Sequence, residues 1–114
     1  MMFQNNCVFC KIIAREIPAS IIEENDTTMV IKDIAPKAPI HYLILPKKHV
    51  ESVRELGAED ASLASDLFAM AAHISSKLSG SQSFRLISNN GKDAGQSVFH
   101  MHLHFLSGKQ MLDF

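Results

Sequence analysis

Histidines alternate with apolar residues near the end of the chain, and this pattern constrains the fold more than any other feature. Residues 100–106 read HMHLHFL. Successive side chains of a β-strand point to opposite faces, so the three histidines share one face and Met101, Leu103 and Phe105 share the other. We therefore predict a strand over residues 98–106, anchored in a core by its apolar face. The imidazole face lines a site or binds a metal.

A second periodicity predicts one long helix. Over residues 58–78 apolar side chains recur every three or four positions, as expected of a helix with one buried stripe. The stripe consists of Leu63, Leu67, Met70, Ala71, Ile74 and Leu78. A shorter helix is predicted over residues 7–15, ending before Pro18.

Four further short strands complete the predicted fold. Residues 20–23 and 28–33 form a hairpin around a polar turn, residues 41–45 follow a proline-containing connector, and residues 84–88 follow the long helix. Five strands around these helices predict an α+β domain with a mainly antiparallel sheet, occupying residues 1–114 as a single domain.

Charge and hydropathy exclude several classes of function. The 11 basic and 12 acidic residues leave a net charge of -1, which does not favour a nucleic-acid or membrane-binding surface. The chain has neither a signal-peptide pattern at its start nor an apolar stretch near the roughly 18 residues of a membrane span. A cytoplasmic protein is expected.

The cysteines and histidines leave more than one metal hypothesis open. Cys7 and Cys10 form a C-x-x-C motif, which in a reducing compartment favours a redox pair or half of a zinc site. Histidines at alternate strand positions also suit a three-histidine catalytic zinc site. His73 lies at the edge of the helical stripe and is interpreted as incidental.

Three blocks of sequence resemble the histidine triad family, and most closely its branch of Hint-like nucleoside phosphoramidases. They are FCKIIAREIP (9–18), DIAPKAPIHYLILPKKH (33–49) and NNGKDAGQSVFHMHLH (89–104), in the family's order. The resemblance implies a five-stranded mainly antiparallel sheet with one long and one short helix, extended across a homodimer. A partner subunit would also cover Met111, Leu112 and Phe114.

The resemblance further implies an activity. It is hydrolysis at the α-phosphorus of a purine nucleotide, such as AMP or GMP, that carries an amine. The neutral imidazole of His102 would attack phosphorus to form a nucleotidyl-histidine, which water then cleaves. His104 and His41 would flank the phosphate, and the sequence leaves open which of them handles the leaving-group proton. No catalytic cofactor is implied.

Further positions match the family's nucleotide site. Gly95, Gln96 and Ser97 would cradle phosphate oxygens, Asp33 would accept hydrogen bonds from the ribose, and Asn89 would contact ribose and phosphate. The walls of the base pocket would be Val8, Phe9, Ile12 and Ile34. Plain core packing is the competing interpretation for Ile12 and Ile34.

The same resemblance assigns a structural zinc to Cys7, Cys10, His49 and His100, since this Cys₂His₂ set suits a closed tetrahedral site. The competing interpretation is two unligated cysteines with His49 on the surface. Three alternative functions also stay open: a dinucleoside polyphosphate hydrolase, a nucleotide-binding regulatory or scaffold protein, and a zinc hydrolase using the triad.

Overall fold

A computed structural model of the chain describes residues 4–113. Within that range the chain forms two α-helices, α1 (Val8–Ile13) and α2 (Ala61–Ser76). It also forms five strands: β1 (Ile21–Glu24), β2 (Thr28–Lys32), β3 (Ile40–Pro46), β4 (Phe84–Ile87) and β5 (Leu103–Ser107). Short 3₁₀ turns occupy Val53–Glu55, Ala58–Asp60 and Lys92–Ala94.

The strands form one sheet in the order β1-β2-β3-β5-β4, and every neighbouring pair is antiparallel. The predicted α+β class with an antiparallel sheet is therefore confirmed. β3 and β5 become neighbours although α2 and β4 separate them in sequence. This pairing brings His41 on β3 next to the histidine-rich end of the chain.

A helix lies on each face of the sheet, and apolar residues of the central strands pack against both helices. On one face, α2 packs its buried residues Leu67, Met70, Ala71 and Ile74 against Met101, Leu103 and Phe105, as the helical stripe predicts. On the other face, α1 packs Phe9, Cys10 and Ile12 against β2 and β3. The buried-stripe prediction and the apolar anchor of the histidine segment are both observed.

The predicted strand over residues 98–106 is wrong in its first half, because regular β5 begins only at Leu103. Two hydrogen bonds to other parts of the chain prevent the residues before Leu103 from pairing as a regular strand. The Met101 backbone N–H donates to the carbonyl of Val50 at 2.6 Å, and the His100 ring donates from Nε2 to the carbonyl of Pro46 at 2.7 Å. Residues 98–102 therefore run as irregular backbone.

The long helix also begins later than predicted. Residues 58–60 form a separate 3₁₀ turn, in which the Asp60 carboxylate accepts from the Gly57 backbone N–H at 2.9 Å and pairs with Lys48 at 2.7 Å. The short helix ends at Ile13 rather than at residue 15, and Cys7 is its N-cap.

Two observations concern the periphery of the fold. No helix within residues 4–113 is long and apolar enough to span a membrane. Near the end of the chain Leu112 is exposed and Met111 half-buried, whereas Phe114 lies outside the described residues.

Candidate active site and metal cluster

A cleft of about 910 Å³ opens on the face of the sheet that carries α1. Its volume lies within the range of about 300–1,000 Å³ that is usual for small-molecule sites. His41, His102 and His104 line it together with Asp33 and Asn89. The cleft also has apolar walls, so it offers both an apolar compartment and a polar floor.

The β3–β5 register explains why two of these histidines meet. His104 lies opposite Leu43, and His41 is two residues before Leu43 on the same face of β3. His41 and His104 are thus diagonal neighbours across the strand pair, within reach of each other's side chains. Their rings approach to 2.9 Å between His41 Nε2 and His104 Nδ1.

Hydrogen bonds from the main chain determine which ring nitrogens carry protons. The Lys37 backbone N–H donates to His41 Nδ1 at 3.0 Å, so the proton of a neutral His41 ring is on Nε2. That Nε2–H donates to His104 Nδ1, which leaves the His104 proton on its own Nε2. His41 and His104 therefore form a directed chain of hydrogen bonds that starts at the backbone.

His102 carries its proton on the other ring nitrogen, Nδ1 rather than Nε2. Its Nδ1 lies 2.8 Å from the carbonyl oxygen of His100, which can only accept, so Nδ1 carries the proton and Nε2 carries the lone pair. The rings of His102 and His104 lie 5.2 Å apart. Two neighbouring imidazoles thus offer a lone pair and an N–H, the complementary functions that covalent catalysis needs.

Burial favours the uncharged form of all three rings. It lowers the pKa of His102 and of His41, and it lowers the pKa of His104 to about 4, with nearby His102 and His41 adding to the shift. The negative charge of Asp33 acts to raise these pKa values, but its effect is smaller than that of burial. The hydrogen-bond chain above is therefore one of neutral rings at neutral pH.

The four predicted base-pocket residues all border the cleft, at different depths. Phe9 and Ile12 are buried at its wall, whereas Val8 is 40% exposed and Ile34 fully exposed at its mouth. Phe9 also contacts the His102 ring edge to face, with 5.1 Å between centroids. Because Ile34 is fully exposed, core packing does not explain an isoleucine at this position.

Asp33 directly follows β2 and lines the cleft beside the histidine pair. One carboxylate oxygen accepts from the Ala35 backbone N–H at 2.7 Å, and the other lies 3.4 Å from His41 Nε2. The carboxylate is thus held in place while remaining at the cleft.

The loop before the triad approaches the cleft through Gly95 and Ser97. Gly95 has a φ of +94°, a left-handed conformation that closes the 3₁₀ turn and favours glycine. The Asn89 amide donates to the carbonyl of Ala94 at 2.9 Å and so holds the turn. The Gln96 side chain lies beneath the loop, buried, with all its contacts to the main chain.

The four predicted metal ligands form a second cluster, beside the cleft. Cys7, Cys10, His49 and His100 each present one ligand atom, and these atoms lie within 4.8 Å of one another. Both sulfurs are free thiols, and burial raises the pKa of Cys10. The backbone N–H of Cys10 also donates to Cys7 Sγ at 3.3 Å, which orients the first ligand at the start of α1.

The geometry of this cluster fits a tetrahedral ion. His100 Nδ1 lies 3.3 Å from Cys7 Sγ, 3.6 Å from Cys10 Sγ and 3.2 Å from His49 Nδ1. These separations resemble the edges, about 3.3–3.8 Å, of a tetrahedron built with zinc–ligand bonds of about 2.0–2.3 Å. Because His100 Nε2–H donates to the Pro46 carbonyl, the Nδ1 lone pair is directed to the cluster. The donor set is that of a closed structural site.

Asp33, His41 and His104 form another group whose ligand atoms lie close together. Their hydrogen bonds oppose a metal there, because the Lys37 N–H occupies Nδ1 of His41 and leaves the proton on Nε2. The lone pairs of the triad also diverge, since that of His100 faces the cysteines and that of His104 faces His41. This arrangement does not favour a catalytic zinc on the three histidines.

Sequence reasoning missed two contributors to the site. The backbone N–H of Lys37 determines which nitrogen of His41 carries the proton. Every residue except proline has such an N–H, so the sequence does not show which one takes part. The segment Ile17 to Ser20 forms part of the cleft wall, and only its position between α1 and β1 indicates this.

Comparisons with known proteins agree with this fold. The sequence profile of the family described as "Scavenger mRNA decapping enzyme C-term binding" matches residues 6–114. A HIT-like protein of Synechocystis is 43% identical over 102 residues, covering 90% of each chain. A HIT-like protein of Synechococcus elongatus is 36% identical over 104 residues and 91% of each chain. The chain belongs to the histidine triad (HIT) family.

Solved structures show the same architecture. A histidine triad protein from Clostridium difficile superposes with a TM-score of 0.94 at 35% identity, covering 99% of each chain. A HIT family hydrolase from Clostridium thermocellum gives a TM-score of 0.92 at 43% identity, covering 97% of each chain. These likenesses confirm the HIT-like fold that the sequence blocks imply.

Proposed function

We propose that the chain is a nucleotidyl hydrolase that cleaves purine nucleoside phosphoramidates, of the AMP–amine type, at the α-phosphorus. The observation that carries the proposal is the pairing of a lone pair on His102 Nε2 with an N–H on the neighbouring His104. Membership of a family that includes proteins described as hydrolases supports the general reaction type. The apolar wall and polar floor of the cleft suit a nucleoside monophosphate.

The first half-reaction transfers the nucleotidyl group to the protein. His102 Nε2 attacks the α-phosphorus, and the phosphorus–nitrogen bond of the substrate breaks with its electron pair staying on nitrogen. The nitrogen leaves as an amine after taking one proton, which we assign to His104 Nε2–H because the His104 ring neighbours that of His102. The His100 carbonyl stabilises the His102 Nδ1–H as the ring gains positive charge.

The second half-reaction restores the enzyme. Water attacks the phosphorus, the bond to His102 Nε2 breaks, and the proton that water loses replaces the one taken by the amine. The products are AMP and the amine. Ser97 lies at the cleft where its hydroxyl can donate to phosphoryl oxygens, whereas the backbone N–H groups of Gly95 and Gln96 are engaged within the loop. Asp33 lies where it can accept from ribose hydroxyls.

The metal cluster has a structural role in this proposal. Cys7, Cys10, His49 and His100 would hold one zinc ion, which would tie α1 to the end of β3 and to the segment before β5. The four protein ligands leave no open position for a substrate. No catalytic cofactor takes part, and two free cysteines suit the reducing cytoplasm in which we place the protein.

We also propose a homodimer in which the sheet continues across the two copies, each chain contributing its single domain of residues 1–114. β4 is an edge strand with Phe84 and Ile87 each 38% exposed, and Phe68 on α2 is 62% exposed. A second copy that continues the sheet at β4 would cover exposed apolar side chains at this edge. Sedimentation equilibrium is expected to give twice the chain mass, and a single-chain mass would contradict the dimer.

A substrate panel tests the proposed function. Purified protein is expected to release AMP from adenosine phosphoramidate with a kcat/KM at least tenfold above that for diadenosine triphosphate, because the Gly95-Gln96-Ser97 loop resembles that of the phosphoramidase branch. A guanosine phosphoramidate run beside it measures base preference. The reverse order of the first two substrates would favour a dinucleoside polyphosphate hydrolase. AMP binding without hydrolysis of any of them would favour a regulatory protein.

A double-mutant cycle tests the chain of hydrogen bonds. His104→Leu is expected to lower kcat/KM by about 10²-fold, the usual cost of one lost donor in an active site. His41→Phe is expected to lower it by about tenfold, since it acts only by holding His104. Because His41 acts through His104, the double variant is expected to match His104→Leu. Multiplied losses in the double variant would show that the two residues act independently.

A further inference from the structure

Gln96 is a buried polar side chain in the loop that faces the cleft. It is only 4% exposed. Its Nε2 donates to the carbonyl of Glu51 at 2.6 Å and to the carbonyl of Val98 at 3.0 Å, while its Oε1 accepts from the Gly91 backbone N–H at 2.8 Å. Two carbonyls and one N–H fix the orientation of the amide, because the reversed amide would face like groups.

These three bonds join separate parts of the chain. Gly91 begins the loop that precedes the triad, Val98 follows it, and Glu51 lies two residues after the proposed metal ligand His49. The stretch between the two loop contacts includes Gly95 and Ser97, which line the cleft. One buried amide therefore holds the entry and the exit of the cleft-facing loop against a segment outside it.

Local bonds hold the shape of this loop but not its position on the protein. The Gln96 and Gly95 backbone N–H groups donate to Gly91 and Lys92 within the loop itself, and Asn89 donates to Ala94 from the adjoining residue. The bond from Gln96 Nε2 to Glu51 crosses 45 residues of sequence. Together with the bonds from the Val53 N–H to Asn90 Oδ1 and from the Met101 N–H to Val50, which hold the flanks of the loop to the same segment, it sets where the loop lies relative to His102.

We propose that Gln96 is a positioning residue of the phosphate-facing loop, holding Gly95 and Ser97 at the cleft without contacting the nucleotide. The inference rests on the proposed function for the identity of the ligand. Its physical basis is that donors to a phosphoryl group act only within narrow limits of distance and direction, and a misplacement of about 1 Å can cost about 10²-fold in rate.

Two substitutions separate the polar role from the volume of the side chain. Gln96→Glu keeps the size but places an acceptor oxygen against the carbonyls of Glu51 and Val98, where the amide donates now. Gln96→Met keeps a similar volume and removes all three hydrogen bonds. Gln110→Glu makes the same chemical change at an exposed position and is the matched control.

The experiment uses the full chain and three readouts. For both Gln96 variants we expect kcat/KM for adenosine phosphoramidate to fall about 10- to 100-fold and the Kd for AMP to rise at least threefold. Amide hydrogen exchange is expected to speed up in residues 91–98. Far-UV circular dichroism and Tm identify the folded fraction, to which the kinetic values are normalised, and Gln110→Glu is expected to match the wild type.

The outcomes distinguish the proposal from simpler ones. Variants with wild-type kcat/KM and AMP affinity per folded molecule would overturn it, and so would losses explained by the unfolded fraction alone. Loss of kcat with an unchanged Kd for AMP and unchanged exchange would also overturn it, since the loop would not have moved. If the wild type fails to hydrolyse phosphoramidates, the proposed function fails, while AMP affinity and hydrogen exchange still decide the role of Gln96.

Discussion

Replacing His102 with alanine is expected to lower kcat/KM for adenosine phosphoramidate by about 10⁴-fold or more, as for other lost nucleophiles. His102 Nε2 is the lone pair that the hydrogen bonds leave available at the cleft, because His41 and His104 have theirs engaged. The neighbouring rings therefore cannot substitute for it. Initial rates of AMP release measure the effect.

A control and a direct observation sharpen this result. His73→Ala removes a histidine from the exposed side of α2 and is expected to retain full activity. His102→Gln keeps more of the packing against Phe9 than alanine does and is expected to be equally inactive. Rapid quenching of the wild type is expected to trap one nucleotidyl group, mapped to the peptide containing His102. A His102→Ala activity within tenfold of the wild type would refute the mechanism.

Replacing Cys7 with serine is expected to abolish zinc retention and to lower the Tm by about 10–20 °C. A metal that binds only the folded state contributes about 4 kcal/mol at a thousand times its Kd, and one kcal/mol changes the Tm by roughly 4 °C in a chain of this length. The ligands join α1 to residues 49 and 100, far apart in sequence, so the metal opposes separation of these segments. Elemental analysis and calorimetry give the two quantities.

Chelation provides the matched comparison for the metal prediction. Prolonged treatment of the wild type with a chelator is expected to lower its Tm to that of Cys7→Ser, whereas the variant should not respond. Zinc below about 0.1 equivalent in protein purified with zinc present would contradict the site. Equal Tm values with and without the metal would contradict its structural role.

The sequence predicted most of this fold because its patterns are strong and local. The helical stripe that includes Leu67 and Ile74, the proline connector before β3 and the alternation after residue 100 each specify an element without reference to the rest of the chain. The start of β5 was not predictable in this way. It depends on the Val50 and Pro46 carbonyls, which are about 50 residues away and accept from Met101 and His100.

For the candidate site as well, the sequence predicted which residues take part but not how they are arranged. Family blocks identified which residues gather at the cleft, but not the order of His41 behind His104, which follows from a diagonal contact between paired strands. Gln96 belongs to a phosphate-binding pattern in sequence, yet its side chain bonds only to backbone groups beneath the loop. Side-chain direction in an irregular loop is set by long-range contacts, which sequence spacing does not encode.

Main-chain groups orient two of the site histidines: the Lys37 N–H bonds to His41, and the His100 carbonyl bonds to His102. Nearly every amino acid supplies these same two groups. A complete alanine scan would therefore leave both contacts intact, and at residue 37 it would report only on the side chain. Backbone chemistry is needed to reveal them: an ester linkage at residue 37 replaces the N–H with an oxygen and leaves every side chain of the protein unchanged.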